Sequence, residues 1–471
     1  MYSSAQYTIM TCFLVKRKSI LLLFFALIII IVLTGCDKQE MSNQHLEIPD
    51  IQKGNQIVFD MDLDSGKMHV TAFYTYGTTD EAAFILNQGF EVLQIIADGN
   101  LINVDKIKKA RTFTEIDYTV NQYNLPDFQE YVLIEYIGIL NATTEIAPYV
   151  RERITPDFTL LRWETFFHPL FSNADSLENL INDLERLYNM HITINIPQGY
   201  LAAFAHNLVI ENVFSDNISF TATGALQYNQ IAIAIAKYHF IEKETGYFYF
   251  FENPDIESVL SDIELTMNHT LEFMTRHFGK VEFNHKLCVI EIMDGLGNFV
   301  ISETGTVFTQ SSSFSTIREM EQFVHEFIHI GWNPKIDNYM VQRSRFFDEA
   351  FTSYFTYRVM EDLLGEDEGA LHLQSFRNTR GLPLIAIKDF GVYEYGDLSY
   401  TIGALFLYEL SKFIGIDHFD AITTEFLETY KNTPVDFDLF HDFYVNRVSE
   451  PGVSALFDKW IFTNEYEEYF S

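Results

Sequence analysis

The sequence predicts a multidomain α and β protein. An N-terminal antiparallel β domain over residues 56–252 is followed by an α/β domain over residues 253–471. Three observations predict this. Gln56–Phe250 is dense in strand signals, with apolar residues alternating at period two. From residue 253 onward the apolar spacing becomes helical. Within that second part lies His325-Glu326-Phe327-Ile328-His329, a spacing that has chemical meaning only on a helix. The 471 residues suit two or three domains, and a hydrophobic content of 48% is ample for real cores. Net charge is −35. That balance argues against a nucleic-acid partner and fits a solvated acidic surface.

Taken in order, residues 1–35 read as a targeting segment. Lys16-Arg17-Lys18 supplies the positive region, and Ile20–Leu33 is an unbroken apolar run. The run is short for a membrane-spanning helix, which needs about 20 residues. Leu33-Thr34-Gly35-Cys36 resembles a bacterial lipobox, which implies cleavage before Cys36 and lipid on that residue. An uncleaved anchor helix is the other reading. Either one puts the body outside the cytoplasm, held to the membrane. Met10 is an alternative start. Residues 36–55 are polar and aperiodic and read as a tether. Of the three cysteines, Cys12 leaves with the signal, Cys36 is acylated and Cys288 sits in an apolar strand-like run. The mature chain is therefore expected to hold no disulfide and no cysteine metal ligand.

In the β domain, Ile57–Leu63 and Met68–Tyr76 flank a turn at Asp64-Ser65-Gly66-Lys67. Further strands are expected at Phe90–Ala97, Tyr131–Leu140, His191–Ile196 and Gln230–Tyr238. His191–Ile196 and Ile231–Ala236 alternate as half-buried strands do. Ser172–Asn189 reads as a helix or loop insert. The second domain opens at Asn253-Pro254, with Asn253 as cap and Pro254 at the first helical position. Val259, Ile263, Met267, Leu271 and Met274 follow at helical spacing up to Gly279. A strand at Lys286–Met293, a glycine turn at Gly295–Gly297 and the segment Phe299–Gln310 come next.

Thr316-Ile317-Arg318-Glu319 fits a capping box, and Gly331 is a plausible stop for the helix it opens. On that helix His325 and His329 share one face, so both imidazoles reach one metal ion. Glu326 points to the open ligand position, where it can take a proton from water. A second helix, about Arg345–Leu364, carries Glu349 in its first turns. His325, His329 and Glu349 form a usual ligand set for one catalytic Zn2+. A chance occurrence of the motif is the competing reading, and the surrounding helix signals weigh against it.

These residues resemble the gluzincin metallopeptidases, specifically the membrane alanyl aminopeptidase and leukotriene hydrolase family. The matching residues are His325, Glu326, His329, Trp332 and Asp348-Glu349-Ala350-Phe351-Thr352. Glu349–Phe355 is also close to the glycyl-aminopeptidase pattern E-G-x-T-S-Y-Y. One extra residue near Ile330-Gly331 separates the second His from the Glu and delays the Trp. The resemblance implies a saddle-like N-terminal domain, a thermolysin-like zincin catalytic domain and peptide or protein substrates. Asp397–Leu405 opens a further helix that closes at Gly415; the resemblance implies that its Tyr400 supports the oxyanion, and a tyrosine packed at a helix start is the other reading. The family's G-x-M-E-N signature is missing. Ile301–Thr306 occupies its place, where Glu303 is the candidate for binding a substrate's free amine; a solvent-exposed turn carboxylate is the other reading. Asp417–Ser471 reads as helices broken at Pro434 and Pro451-Gly452. The family's large C-terminal helical domain is not expected in this chain. The expected activity is that of a zinc aminopeptidase. A zinc endopeptidase and a non-catalytic surface binding protein of the same fold are the alternatives.

Overall fold

The computed structural model describes residues 54–470, apart from 76–82, 104–105, 114–115, 127, 129, 142–152, 173–176, 206–208, 214–215, 253–254, 280–285, 333–343, 378–382, 392–394, 431–432 and 434. The predicted signal, Cys12, Cys36, most of the tether and the Asn253-Pro254 cap lie outside the described residues.

Strands β1 (Asn55–Asp62) and β2 (Lys67–Thr75) form the expected hairpin. Gly66 takes φ 68° in its turn, and the Asp62 carboxylate accepts from the Ser65 backbone N–H at 3.1 Å. Then follow β3 (Ala83–Asn87), β4 (Phe90–Ala97), β5 (Asn100–Leu101), β6 (Lys106–Phe113), β7 (Ile116–Asn124), β8 (Tyr131–Gly138), β9 (Thr159–Leu161) and β10 (Leu170–Phe171). After helix α1 (Leu177–Leu184) come β11 (Leu187–Pro197), β12 (Leu201–Phe204), β13 (Val209–Val213), β14 (Asn217–Gln227) and β15 (Ile233–Ala236). The segment read as a helix or loop insert is thus a short helix plus the start of β11.

An eight-stranded sheet runs β13-β14-β11-β1-β2-β8-β4-β5, with β1–β11 as its parallel pair. Four- and three-stranded antiparallel sheets, β10-β3-β7-β6 and β12-β15-β9, pack with it. In β11 the expected alternation holds: Tyr188, Met190, Ile192, Ile194 and Ile196 are buried. In β15 it does not, since every position is buried. Ile231, Ile233 and Ile235 face the β-domain core, while Ala232, Ala234 and Ala236 pack with Ile290, Ile292 and Phe308 of the second half. The face expected to meet solvent is covered by another sheet.

That sheet is built from β16 (His239–Glu242), β17 (Gly246–Phe250), β18 (Leu287–Ile292), β19 (Phe299–Ile301) and β20 (Thr306–Gln310), in the order β16-β17-β18-β20-β19. β17, β18 and β20 are parallel, and the outer strands pair antiparallel. The β16–β17 hairpin precedes residue 253 yet belongs to this sheet. Helix α2 (Ile256–Phe278) connects β17 to β18, the usual way to join parallel strands. Asp255 caps it, accepting from the Ser258 N–H, and Gly279 follows its last turn with φ 87°.

The helices after the sheet are α3 (Glu321–Trp332), α4 (Phe351–Leu364), α5 (Glu366–Arg377), α6 (Ala404–Ile414), α7 (Ile416–Thr429), α8 (Phe437–Val445) and α9 (Val453–Phe457). The core they share absorbs much of the aromatic content, including Phe346, Phe351, Phe355, Phe406, Phe426, Phe440, Tyr444 and Trp460. Thr316 and Glu319 make half of the expected capping box: Glu319 N–H donates to Thr316 Oγ1 at 3.3 Å, while the Glu319 carboxylate accepts from the Thr316 hydroxyl at 2.9 Å and not from its backbone N–H. They do so one turn before regular α3 begins. Gly331 lies inside α3, which continues to Trp332.

Candidate metal centre

Helix α3 is buried nearly all round, because the sheet packs on one side and α2 and α4 on others. Its two histidines face α4. Their Nε2 atoms are 3.3 Å apart. Glu349 Oε2 lies 2.9 Å from His325 Nε2 and 3.4 Å from His329 Nε2. A tetrahedral centre with bonds of about 2.0–2.1 Å has corners about 3.3–3.4 Å apart, so one zinc-sized ion fits this triangle. All three residues are buried.

Glu349 sits on a wide π-type turn, Phe346–Ala350, that leads into α4. Such turns are common at functional sites because the extra residue re-aims a side chain. Trp332, the last residue of α3, fixes this turn. Its indole N–H donates to the Phe347 carbonyl at 2.7 Å, and its ring stacks on Phe351 at 4.5 Å. The metal helix and the turn that brings the third ligand are thus tied across the intervening loop.

The tautomer of His329 follows from its neighbours. Thr352 spends its hydroxyl proton on the Asp348 carbonyl at 2.8 Å. Its oxygen, 3.2 Å from His329 Nδ1, therefore accepts, and Asp348 Oδ1 is 3.1 Å from the same nitrogen. Nδ1 carries the proton, and the Nε2 lone pair is left for a metal. For His325, burial and then the neighbouring His329 push the imidazole down to about 4, so it is neutral and ligand-competent at neutral pH. Burial would raise the Asp348 carboxyl, but His329 and Arg345 hold it below its ordinary value. Burial raises the Glu326 carboxyl above its ordinary value, with His325 and His329 opposing.

A cleft of about 400 Å³ opens beside the triad. Glu326, His329, Glu349, Tyr400 and Glu303 all line it, so the structure brings the predicted residues of the second half to one place. Tyr400 stands on another π-type turn, Ser399–Gly403, immediately before α6. Its ring stacks on His325 at 5.6 Å, and burial raises its hydroxyl well above the ordinary phenol range, keeping it a hydrogen-bond donor. Glu303 is exposed on a 3₁₀ turn, Ser302–Thr304, that follows edge strand β19.

The sequence reading missed two groups. Arg345 donates to Glu349 Oε1, and its guanidinium lies 5.6 Å from the centre of the Tyr400 ring. Glu164, on the turn Trp163–Thr165 of the first half, lines the same cleft with Arg162, Asn229 and Gln230. Burial raises its carboxyl, with Arg162 opposing. For Arg345 the four-residue spacing to Glu349 was a usable signal. For Glu164 no local pattern exists, since tertiary packing alone carries it to the site.

No protein-family model and no curated protein matches the chain. Solved structures do. An M1 zinc metallopeptidase variant from Deinococcus radiodurans, bound to a Tyr-Ser-Ala substrate, is similar over 87% of this chain and 93% of its own, at 13% identity and a TM-score of 0.59. Native yeast LTA4 hydrolase is similar over 87% of this chain and 67% of its own, at 12% identity and a TM-score of 0.59. A two-domain M1 zinc metallopeptidase bound to L-arginine covers 87% and 93%, at 13% identity and a TM-score of 0.60. With its β-rich first half, its helical second half and the buried His-His-Glu group, the chain has the fold of the M1 metallopeptidases.

Proposed function

We propose that this protein is a zinc-dependent peptidase that removes residues from peptide N-termini. The observation that carries the reading is the triangle of His325, His329 and Glu349 beside Glu326 in one cleft. Zinc bound there supplies a Lewis acid that polarises the scissile carbonyl and makes water a better nucleophile. Glu326 takes the proton of the attacking water and hands it to the leaving nitrogen. Tyr400 donates to the oxygen on which negative charge develops. Asp348 and Thr352 hold His329 in the tautomer that this chemistry needs.

The N-terminal preference rests on carboxylates that are not ligands. A substrate ammonium must be paired once water leaves the cleft. Glu303 from the second half and Glu164 from the first both line the cleft and supply that charge. M1 structures bound to Tyr-Ser-Ala and to single amino acids, L-arginine and L-tryptophan, are consistent with such substrates and products. The protein is anchored by lipid on Cys36, on the outer side of a bacterial membrane. The support is the charged region, the apolar run and Leu33-Thr34-Gly35-Cys36. Among the described residues no helix is long and apolar enough to cross a membrane.

Purified protein is expected to hold one zinc per chain, to lose it in His329→Ala, and to keep it without turnover in Glu326→Gln. Paired peptides, one with a free N-terminus and one acetylated, test the specificity. Equal cleavage of both at an internal bond makes the enzyme an endopeptidase instead. Wild-type turnover in Glu326→Gln would defeat the mechanism altogether.

A further inference from the structure

The two oxygens of Glu349 have different surroundings. Oε2 faces both imidazoles, at 2.9 and 3.4 Å. Oε1 accepts from the Arg345 guanidinium. Arg345 lies four residues earlier, at the start of the same wide turn, and the Glu349 N–H donates to its carbonyl at 2.8 Å. Its side chain is mostly buried, at 25% exposure. It also approaches Asp348 Oδ2 at 3.6 Å, and it stands over the Tyr400 ring. One cation therefore bonds a proposed metal ligand and lies beside the residue that orients a second ligand and the ring of the proposed oxyanion donor.

A carboxylate can give a metal one oxygen or both. Giving both requires the two oxygens to turn toward the ion together, and that raises the coordination number. A catalytic zinc needs the opposite: three protein atoms and one position left open. Arg345 is always charged, and its planar fork can hold Glu349 Oε1 while remaining near Asp348. Turning Oε1 toward the ion would break a charge-assisted hydrogen bond in a buried site, a costly change.

The geometry points to Arg345 as a positioning residue that keeps Glu349 a one-oxygen metal ligand and so keeps the fourth position open. This rests on the metal-site reading above. It is separable from that reading, because it concerns the denticity of Glu349 and not whether a metal binds.

The experiment replaces zinc with cobalt(II), whose visible absorption reports coordination number, being intense in four-coordinate sites and weak in five- or six-coordinate ones. Wild type should give the intense spectrum at one cobalt per chain. Arg345→Met should bind cobalt with a severalfold loss of visible intensity, as Glu349 closes with both oxygens. Arg345→Lys should recover most of the intensity, because an ammonium can also hold Oε1. An Arg345→Met spectrum identical to wild type, at equal cobalt occupancy, overturns the proposal and leaves the metal site standing. Wild type that takes up no more cobalt than His329→Ala overturns both. Should Arg345→Met fail to fold, a crystal structure of zinc-loaded wild type decides. Glu349 bound through Oε2 alone, with Oε1 on Arg345, supports the proposal; both oxygens on zinc refute it.

Discussion

Gly403 separates two turns that must sit close together. It ends the turn that carries Tyr400, and its Cα faces Ala350, the residue after Glu349. A Cβ built on Gly403 would lie 2.7 Å from the Ala350 Cβ and 3.2 Å from a Phe346 ring carbon. Its backbone is helical, so the demand for glycine is purely one of space. Ordinary contact between such atoms begins near 3.4 Å, so Gly403→Ala must push the two turns apart by about 0.7 Å. Ala350 is a short side chain fixed to its backbone, and it cannot swing aside. Overpacking of this kind costs about 1–3 kcal/mol of stability. A displacement approaching ~1 Å between the oxyanion donor and the metal triad costs up to about 10²-fold in turnover. The assay is kcat/KM on a free-amine tripeptide, alongside zinc content and urea unfolding. Gly403→Ala should keep zinc, lose modest stability and lose most activity. Adding Ala350→Gly makes room for the new methyl and should restore much of the activity, despite about 1 kcal/mol of lost helix propensity. Activity within about twofold of wild type in the single variant would refute the claim that this spacing matters. Failure of Ala350→Gly to restore activity would show that the loss came from elsewhere.

Three further outcomes are expected. Trp332→Phe leaves the buried Phe347 carbonyl without its indole donor, and should lower stability by about 1–3 kcal/mol and weaken zinc retention; unfolding midpoints and chelator competition would measure both, and wild-type values in both would remove Trp332 from the scaffold of the site. Asp348→Asn removes the charge beside His329 Nδ1 and should weaken zinc binding by about 10–100-fold, since the partners of metal-ligating histidines are typically worth that much; unchanged affinity in a zinc-buffer titration counts against the orienting role. Far from the site, the Asp60 carboxylate, 3.7 Å away, and then Glu135, hydrogen-bonded at 2.7 Å, raise the His69 imidazole above its ordinary 6.5. The folded state then binds that proton more tightly than the unfolded one, so the contribution to stability is fully present below about pH 6.5 and is lost as pH rises through the folded value. His69→Gln should flatten the decline in urea midpoint above that pH, and an unaltered pH profile would exclude His69 as its source.

The features that were legible in the sequence are the ones fixed by local geometry. Residues four apart on a helix share a face whatever surrounds them, so His325 and His329 could be paired before any fold was known. The capping contacts of Thr316, the turn at Gly66, the period-two burial of β11 and the stop at Gly279 are likewise set within a few residues. Glu349 was placed by the acidic residue in the first turns of the following helix and then by resemblance to a known pattern, and Tyr400 by that resemblance alone, because no rule of local geometry links either to the histidines.

Tertiary structure decided the rest. The alanine face of β15 looked solvent-facing because alternation records only that one face is apolar, and not what covers the other. The β16–β17 hairpin could not be assigned to a sheet, because its partner β18 comes 37 residues after the end of β17, beyond α2. Glu164 reaches the cleft only when the first half packs against the second. Trp332 finds the Phe347 carbonyl only when α3 and the turn before α4 come together. The contacts with no signature in the chain are those between segments distant in sequence, where packing and buried hydrogen bonding, rather than periodicity, choose the partner.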